Sequence, residues 1–257
     1  MTPEIEIDPP LPARAVGADA RRRQNWFYSV MWLAAVTVVI AGFGRSFYEM
    51  ATGSSELSTI VHIHSAVFGA WLVLFIVQVW LVASRNIRIH MSLGYFGVAL
   101  TVLMVIVGTV TAVAGAKRGF TLDPSIDPSA YMAFPLGNLL AFAILVGLAY
   151  SYRRRPEVHR RLMLLSTVGP LMTAPLTHFF AQLPDRFNTN PPVYFLLVLS
   201  VLVFASPVYD RITLGRFNRV SLWSSVAVFI WGNTLAAVIV PSLTWHKIAE
   251  SLVGLGN

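Results

Sequence analysis

The chain has 257 residues, 56% of them hydrophobic and only 12% charged, with a net charge of +7 and no cysteine. A soluble domain carries about a quarter charged residues, so this composition belongs in a lipid bilayer. The missing cysteines exclude a disulfide framework, thiolate catalysis and Cys-held zinc or iron–sulfur centres, leaving His, Met and backbone oxygens as ligands. Of the 19 basic residues 17 are Arg, lying in short loops between apolar runs. That is a membrane-topology pattern and not a nucleic-acid footprint.

Residues 1–24 are rich in Pro, Ala and acidic residues and close on Arg21, Arg22 and Arg23. With no apolar periodicity they are expected to form a disordered cytoplasmic tail ahead of a membrane domain over 25–257. The first apolar run, Trp26 to Gly42, is longer than the apolar core of a signal peptide, and no small-x-small cleavage site follows it. An uncleaved first span is the expectation.

A hydrocarbon core of about 30 Å needs about 20 apolar residues per helix. Runs of that length fall at 26–43, 60–84, 91–115, 130–151, 161–183, 192–209 and 221–244. They lack the alternation of barrel strands, so all seven are expected to be helices in an all-α, polytopic membrane bundle. Placing the tail and every second loop in the cytoplasm puts fourteen basic residues inside, among them Arg85, Arg88, Arg153, Arg154, Arg155, Arg160 and Arg161. Only Arg45, Lys117, Arg118, Arg186 and Lys247 then fall outside. The positive-inside rule therefore predicts a cytoplasmic N-terminus and a C-terminus on the other side, with the cytoplasmic arginines meeting anionic lipid headgroups.

The turns before spans three and five share a pattern: Arg residues, then His90 or His159, then Leu93 or Leu162 three positions on. This weak repeat fits either duplicated hairpins or the general taste of basic turns for Arg and His. Pro135, Pro170, Pro175 and Pro241 interrupt apolar runs, and a kinked span five is the strongest local expectation. Small residues at four-residue spacing, such as Ser65 with Gly69 and Gly108 with Ala112, suit close helix approach.

No Asp, Glu, Lys or Arg falls in the middle of any of these spans, and Lys247 comes after the last, so a retinal protein with a deep Schiff-base lysine is excluded. The chemistry rests on histidine. His62, His64, His178 and His246 fall at the outer ends of spans two, five and seven, and His90 and His159 at the inner turns. Two imidazoles at one depth on facing helices are what haem in a bundle requires, whereas a bare metal needs about three ligands. On span two, His64 shares a face with Phe68, Trp71, Phe75 and Gln78, while His62 lies on the opposite side. The depths of His64 and His178 match, making them the candidate metal pair; a hydrogen bond from His64 to His178 or Gln182 is the plainer alternative. His246, beside Trp245, reads as an interfacial anchor. Gln78, Asn138, Thr167, Thr173, Thr177, Gln182 and Asn233 are polar candidates that interhelical hydrogen bonds also explain.

The chain resembles a family of uncharacterised bacterial multi-span membrane proteins. The resemblance rests on His62-Ile63-His64 with the apolar run to Gln78, on His90-x-x-Leu93-Gly94, on His159-Arg160-Arg161-Leu162-Met163, and on Tyr209-Asp210-Arg211 with Leu214-Gly215-Arg216. It implies a multi-pass protein of the bacterial inner membrane and points to His62, His64, His90 and His159, and it brings no activity with it. More loosely, spans two to five are similar to the four-helix core of dihaem transmembrane cytochromes, which implies haem b, although His90 and His159 lie at turns where those ligands lie deeper, among arginines that suit a lipid-facing or structural role better than a cationic metal.

Three functions compete. The first is a membrane redox or metal protein that binds haem or a divalent metal through His62, His64, His90, His159 and His178. The second is a non-catalytic subunit of a larger membrane complex or a lipid- or small-molecule-binding protein. The third is a transporter of an apolar or neutral solute through the seven-helix interior. A zinc hydrolase ranks lower, since its carboxylate would have to come from Glu49, Glu56, Asp123, Asp127 or Asp185 in the outer loops.

Overall fold

A computed structural model describes residues 18–53, 58–184 and 191–254. Among them there is no strand, and seven helical segments are long and apolar enough to cross a membrane. The spans are α1 (Ala18–Ala51), α2 (Thr59–Ala83), α3 (Ile87–Lys117), the short α4 (Pro128–Tyr131) running into α5 (Ala133–Ser151), α6 (Pro156–Val168) with α7 (Thr173–Ala181), α8 (Pro191–Leu214), and α9 (Arg219–Thr234). At 1.5 Å per residue the 25 residues of α2 are about 37 Å long, enough to cross with tilt. The expected disordered tail falls outside the described residues up to 17, and α1 already begins at Ala18.

The chain breaks where its backbone chemistry demands. Span five divides as expected: α6 stops at Gly169, a tight turn covers Pro170–Met172, and α7 resumes at Thr173. Pro170 has no N–H for the ladder, and its ring collides with the carbonyl four residues back. The last span differs from expectation. After a five-residue π-helical turn, Leu235–Ile239, it ends before Pro241, and a separate α10 (Leu243–Gly254) turns back onto α3 and α4. Trp245 Nε1 donates to the Ala130 carbonyl at 3.0 Å, which ties α10 to the end of the bundle.

Span five is the hub, with 61% of its apolar window buried against 11% for α9. One side of it packs with α1 and α8 through Met31, Ala35, Leu164, Val168, Leu176 and Leu202. Another packs with α5 and α8 through Leu145, Val158, Leu162 and Val203. A third cluster joins α2, α3 and α5 through Trp71, Met104 and Phe142, and Trp71 Nε1 donates to Thr167 Oγ1 at 3.1 Å to link α2 with α6. At Gly42 the approach of α1 to α7 is so close that a Cβ would sit 2.1 Å from the Pro175 carbonyl oxygen.

Because the spans alternate in direction, the turns at 84–86, 152–155 and 215–218 share one end of the bundle. The first of these closes α2: Asn86 N–H reaches Leu81 O at 2.8 Å and Arg85 N–H reaches Val82 O at 3.2 Å, with Arg85 at φ 63°. This is the left-handed helix stop that glycine usually fills, as Gly119 (φ 75°) does after α3.

Candidate histidine site

The paired hairpins put two histidines in equivalent places. His90 is the fourth residue of α3 and His159 the fourth of α6, and their backbone N–H groups bond back to Asn86 O and Arg155 O, each at 3.0 Å. Helices α3 and α6 both pack on α5, and their histidine rings meet with centroids 6.2 Å apart at an interplanar angle of 85°. The repeat read in the two turns thus corresponds to a shared geometry.

The two rings are held differently. His159 Nδ1 lies 2.9 Å from the carbonyl of Ala149, one of the carbonyls that the last turn of α5 cannot satisfy within its own helix. A carbonyl only accepts, so Nδ1 carries a proton and donates to it, which leaves Nε2 as the ring's ligand atom. His90 Nδ1 is buried with no hydrogen-bond partner. So is Gln78 Oε1, although the same amide donates from Nε2 to the His90 carbonyl at 3.2 Å. Around this pair stand Arg85, Arg88, Arg153, Arg154 and Arg155, all exposed, with Glu157 the one acid in the two turns.

Beside it lies a network that loop assignments from sequence obscure. Arg161 and Asp210 form a two-pronged ion pair, each side chain 3% exposed, and Ser221 Oγ donates to Asp210 Oδ2 at 2.5 Å. Arg161 Nη1 also bonds the Glu157 carbonyl at 2.6 Å and its carboxylate at 2.7 Å, and Arg160 pairs with Glu157 as well. Sequence reasoning put Asp210 just past the end of span six, but α8 runs on to Leu214 and carries it inward. The signal was present: Val203, Ser206, Pro207 and Asp210 follow a helical i, i+3, i+4, i+7 stripe, and all four are buried.

At the opposite end the candidates are more scattered. The face of α2 bearing His64 is the packed one, with Trp71 2% and Phe75 7% exposed, whereas His62 is exposed. His64 stacks on Phe68 at 4.0 Å, and its Nδ1 is buried without a partner. His178 lies between Phe43, at 4.6 Å, and Phe120, at 6.1 Å. Neither a hydrogen bond nor a ring contact joins His64 to His178, and Gln182 instead donates to the carbonyls of Gly42 and His178, both at 2.9 Å. His246 Nδ1 lies 2.8 Å from the carbonyl of Ser242, just ahead of α10. Of the outer acids, Glu56 and Asp185 lie outside the described residues, and Asp127 caps α4. Among the described residues no group of three or more His, Cys, Asp or Glu side chains is placed to hold a metal ion.

The seven apolar helices define an integral, multi-pass membrane protein. No protein-family model, curated protein or solved structure matches the chain.

Proposed function

We propose that this protein is a membrane redox component that holds haem between His90 and His159. The observation that carries the reading is their 6.2 Å ring separation. Two imidazoles on opposite sides of one metal, with nitrogens about 2 Å from it, have centroids about 6 Å apart. The donor set suits haem: His90 and His159 would offer two imidazole nitrogens, and among the described residues no group of three His, Cys, Asp or Glu side chains is placed to hold a bare ion. The Ala149 carbonyl on His159 supplies the outer partner that ligating histidines use to fix their tautomer. Haem would bring one-electron exchange at iron, and His90 and His159 would hold it. His62, His64 and His178 remain candidates for a second centre at the other end. The purified protein is expected to show a Soret band and about one iron per chain; a spectrum without that band, together with no iron on elemental analysis, removes the reading.

In this reading the N-terminus and the arginine-rich turns face the cytoplasm of a bacterial inner membrane. Arg85, Arg88, Arg153, Arg154 and Arg155 there lie against anionic phosphate headgroups.

One observation favours a second reading, a subunit of a larger complex. Helix α9 is barely buried and carries exposed Asn233 in a groove of about 290 Å³ with Phe229, Ala237 and Val238. Asn233 Nδ2 donates to the Phe229 carbonyl at 2.8 Å within the helix, and Asn side chains in spans also hydrogen-bond across to neighbouring helices. Co-purification of a stable partner in mild detergent, lost on Asn233→Leu, supports this; a monodisperse single chain contradicts it.

A further inference from the structure

We propose that Gln78 is the positioning residue for His90, its Oε1 accepting the Nδ1–H of that ring so that Nε2 faces His159. This rests on reading the two histidines as ligands. The argument begins with two orphans. Among the described residues, four buried side-chain polar atoms lack a partner, and two of them, Gln78 Oε1 and His90 Nδ1, belong to residues already joined by a hydrogen bond. A buried polar atom left unpaired costs about 1–3 kcal/mol, and here one orphan is an acceptor while the other becomes a donor in one tautomer. The amide's orientation follows from chemistry, because the His90 carbonyl can only accept and so the nitrogen end must face it. With the amide nitrogen held on the His90 carbonyl, Oε1 is the acceptor this residue has left to offer, and the Nδ1–H tautomer of His90 is the donor that would satisfy it.

The resulting arrangement would match the other half of the site. His159 has its Nδ1 on the Ala149 carbonyl from the preceding span of its hairpin, α5. His90 would have its Nδ1 on an oxygen from the preceding span of its own hairpin, α2. Both rings would then be Nδ1–H tautomers, each keeping Nε2 as its ligand atom. The position of Gln78 supports this: it lies on the packed face of α2, and a Cβ on Gly94, four residues after His90, would sit 4.0 Å from its amide nitrogen. A valine or leucine at position 78 would fill the space but offer no acceptor.

The test uses the full-length protein in lipid nanodiscs, labelled with ¹⁵N-histidine, alongside haem titrations. Before haem is added, His90 is expected to appear as the Nδ1–H tautomer in the parent protein and in Gln78→Glu, and to lose that preference in Gln78→Leu. Haem affinity is expected to fall about 10- to 100-fold in Gln78→Leu, the usual cost of losing an outer partner of a ligating histidine. Gln78→Glu should keep haem and lower its reduction potential, because an anionic acceptor makes the imidazole a stronger donor. Should Gln78→Leu fold poorly, the tautomer and potential of Gln78→Glu still decide. Parental haem affinity and tautomer in Gln78→Leu, with binding lost in His90→Ala, overturn the role of Gln78 and leave the ligand pair standing. Unchanged binding in Gln78→Leu, His90→Ala and His159→Ala overturns both.

Discussion

Arg161 and Asp210 face each other through two parallel hydrogen bonds, Nε to Oδ2 at 2.9 Å and Nη2 to Oδ1 at 2.6 Å, across the packed junction of α6 and α8. With Ser221 donating to the same carboxylate, α9 joins them. Burying two charges costs several kcal/mol per ion, which good geometry and full hydrogen bonding must offset. Removing one partner strands the other. Arg161→Met is therefore expected to destabilise the protein by about 3–5 kcal/mol, whereas Arg161→Met with Asp210→Leu should recover most of the loss. Thermal unfolding of the three proteins in one detergent decides this. Equal losses in the single and double variants would mean that packing at the junction, not the stranded charge, sets the cost.

Arg85 occupies a left-handed position at φ 63° where a Cβ is strained. The left-handed conformation costs a non-glycine residue about 1–2 kcal/mol, and the helix stop itself needs only backbone groups. Arg85→Gly should thus stabilise the α2–α3 turn by about 1 kcal/mol, less the extra freedom glycine gains when unfolded. Hydrogen exchange at the Asn86 amide is the direct reading, and faster exchange in the variant would contradict it.

Asp127 caps α4 by accepting from Ser129 Oγ and from the backbone N–H groups of Ser129, at 2.8 Å, and Ala130, at 3.3 Å. The Ser129 hydroxyl, aided by the two amides, holds its carboxyl below the usual carboxylate range. A carboxyl depressed in the folded state contributes stability that is complete above its unfolded value, about pH 4, and is lost as pH falls through the lower folded value. Asp127→Asn is expected to remove that acid-side dependence. Its exposure keeps the effect small, so the comparison needs matched acid titrations of α4 unfolding; identical profiles would show that the cap is uncoupled from stability.

Orientation is tested by reporter fusions. A reporter after Arg155 should behave as cytoplasmic and one after Asn257 as non-cytoplasmic, given the excess of basic residues on alternate loops. The opposite result at one point alone would mean a miscounted span, and at both points would reverse the proposed sidedness.

The fold was legible because bilayer physics writes it into composition: each span needs about 20 apolar residues, and the prolines mark the breaks. The kink at Pro170 followed from its ring and missing N–H alone. The end of the last span did not, since apolar residues continue past Pro241; there a π-helical turn over Leu235–Ile239 ends the span, and Trp245 donating to the Ala130 carbonyl holds α10 against the end of the bundle. For the site, the shared pattern around His90 and His159 was visible, but their meeting was not, because a turn assignment says nothing about which hairpins face each other. Depth matching favoured His64 with His178, and depth is one coordinate of three: Phe43 and Phe120 flank His178, while His64 stacks on Phe68 of its own helix. Asp210 was hidden by hydropathy itself, since a charged residue near the end of an apolar run reads as the start of a loop until a partner such as Arg161 draws it in.

The most direct measurement of the central claim is electron paramagnetic resonance of the purified oxidised protein beside His90→Ala and His159→Ala. A low-spin ferric signal of bis-imidazole type in the parent, abolished or converted to high spin by either substitution, is the predicted result. A parent protein with no ferric haem signal, or one whose signal survives both substitutions, would contradict it.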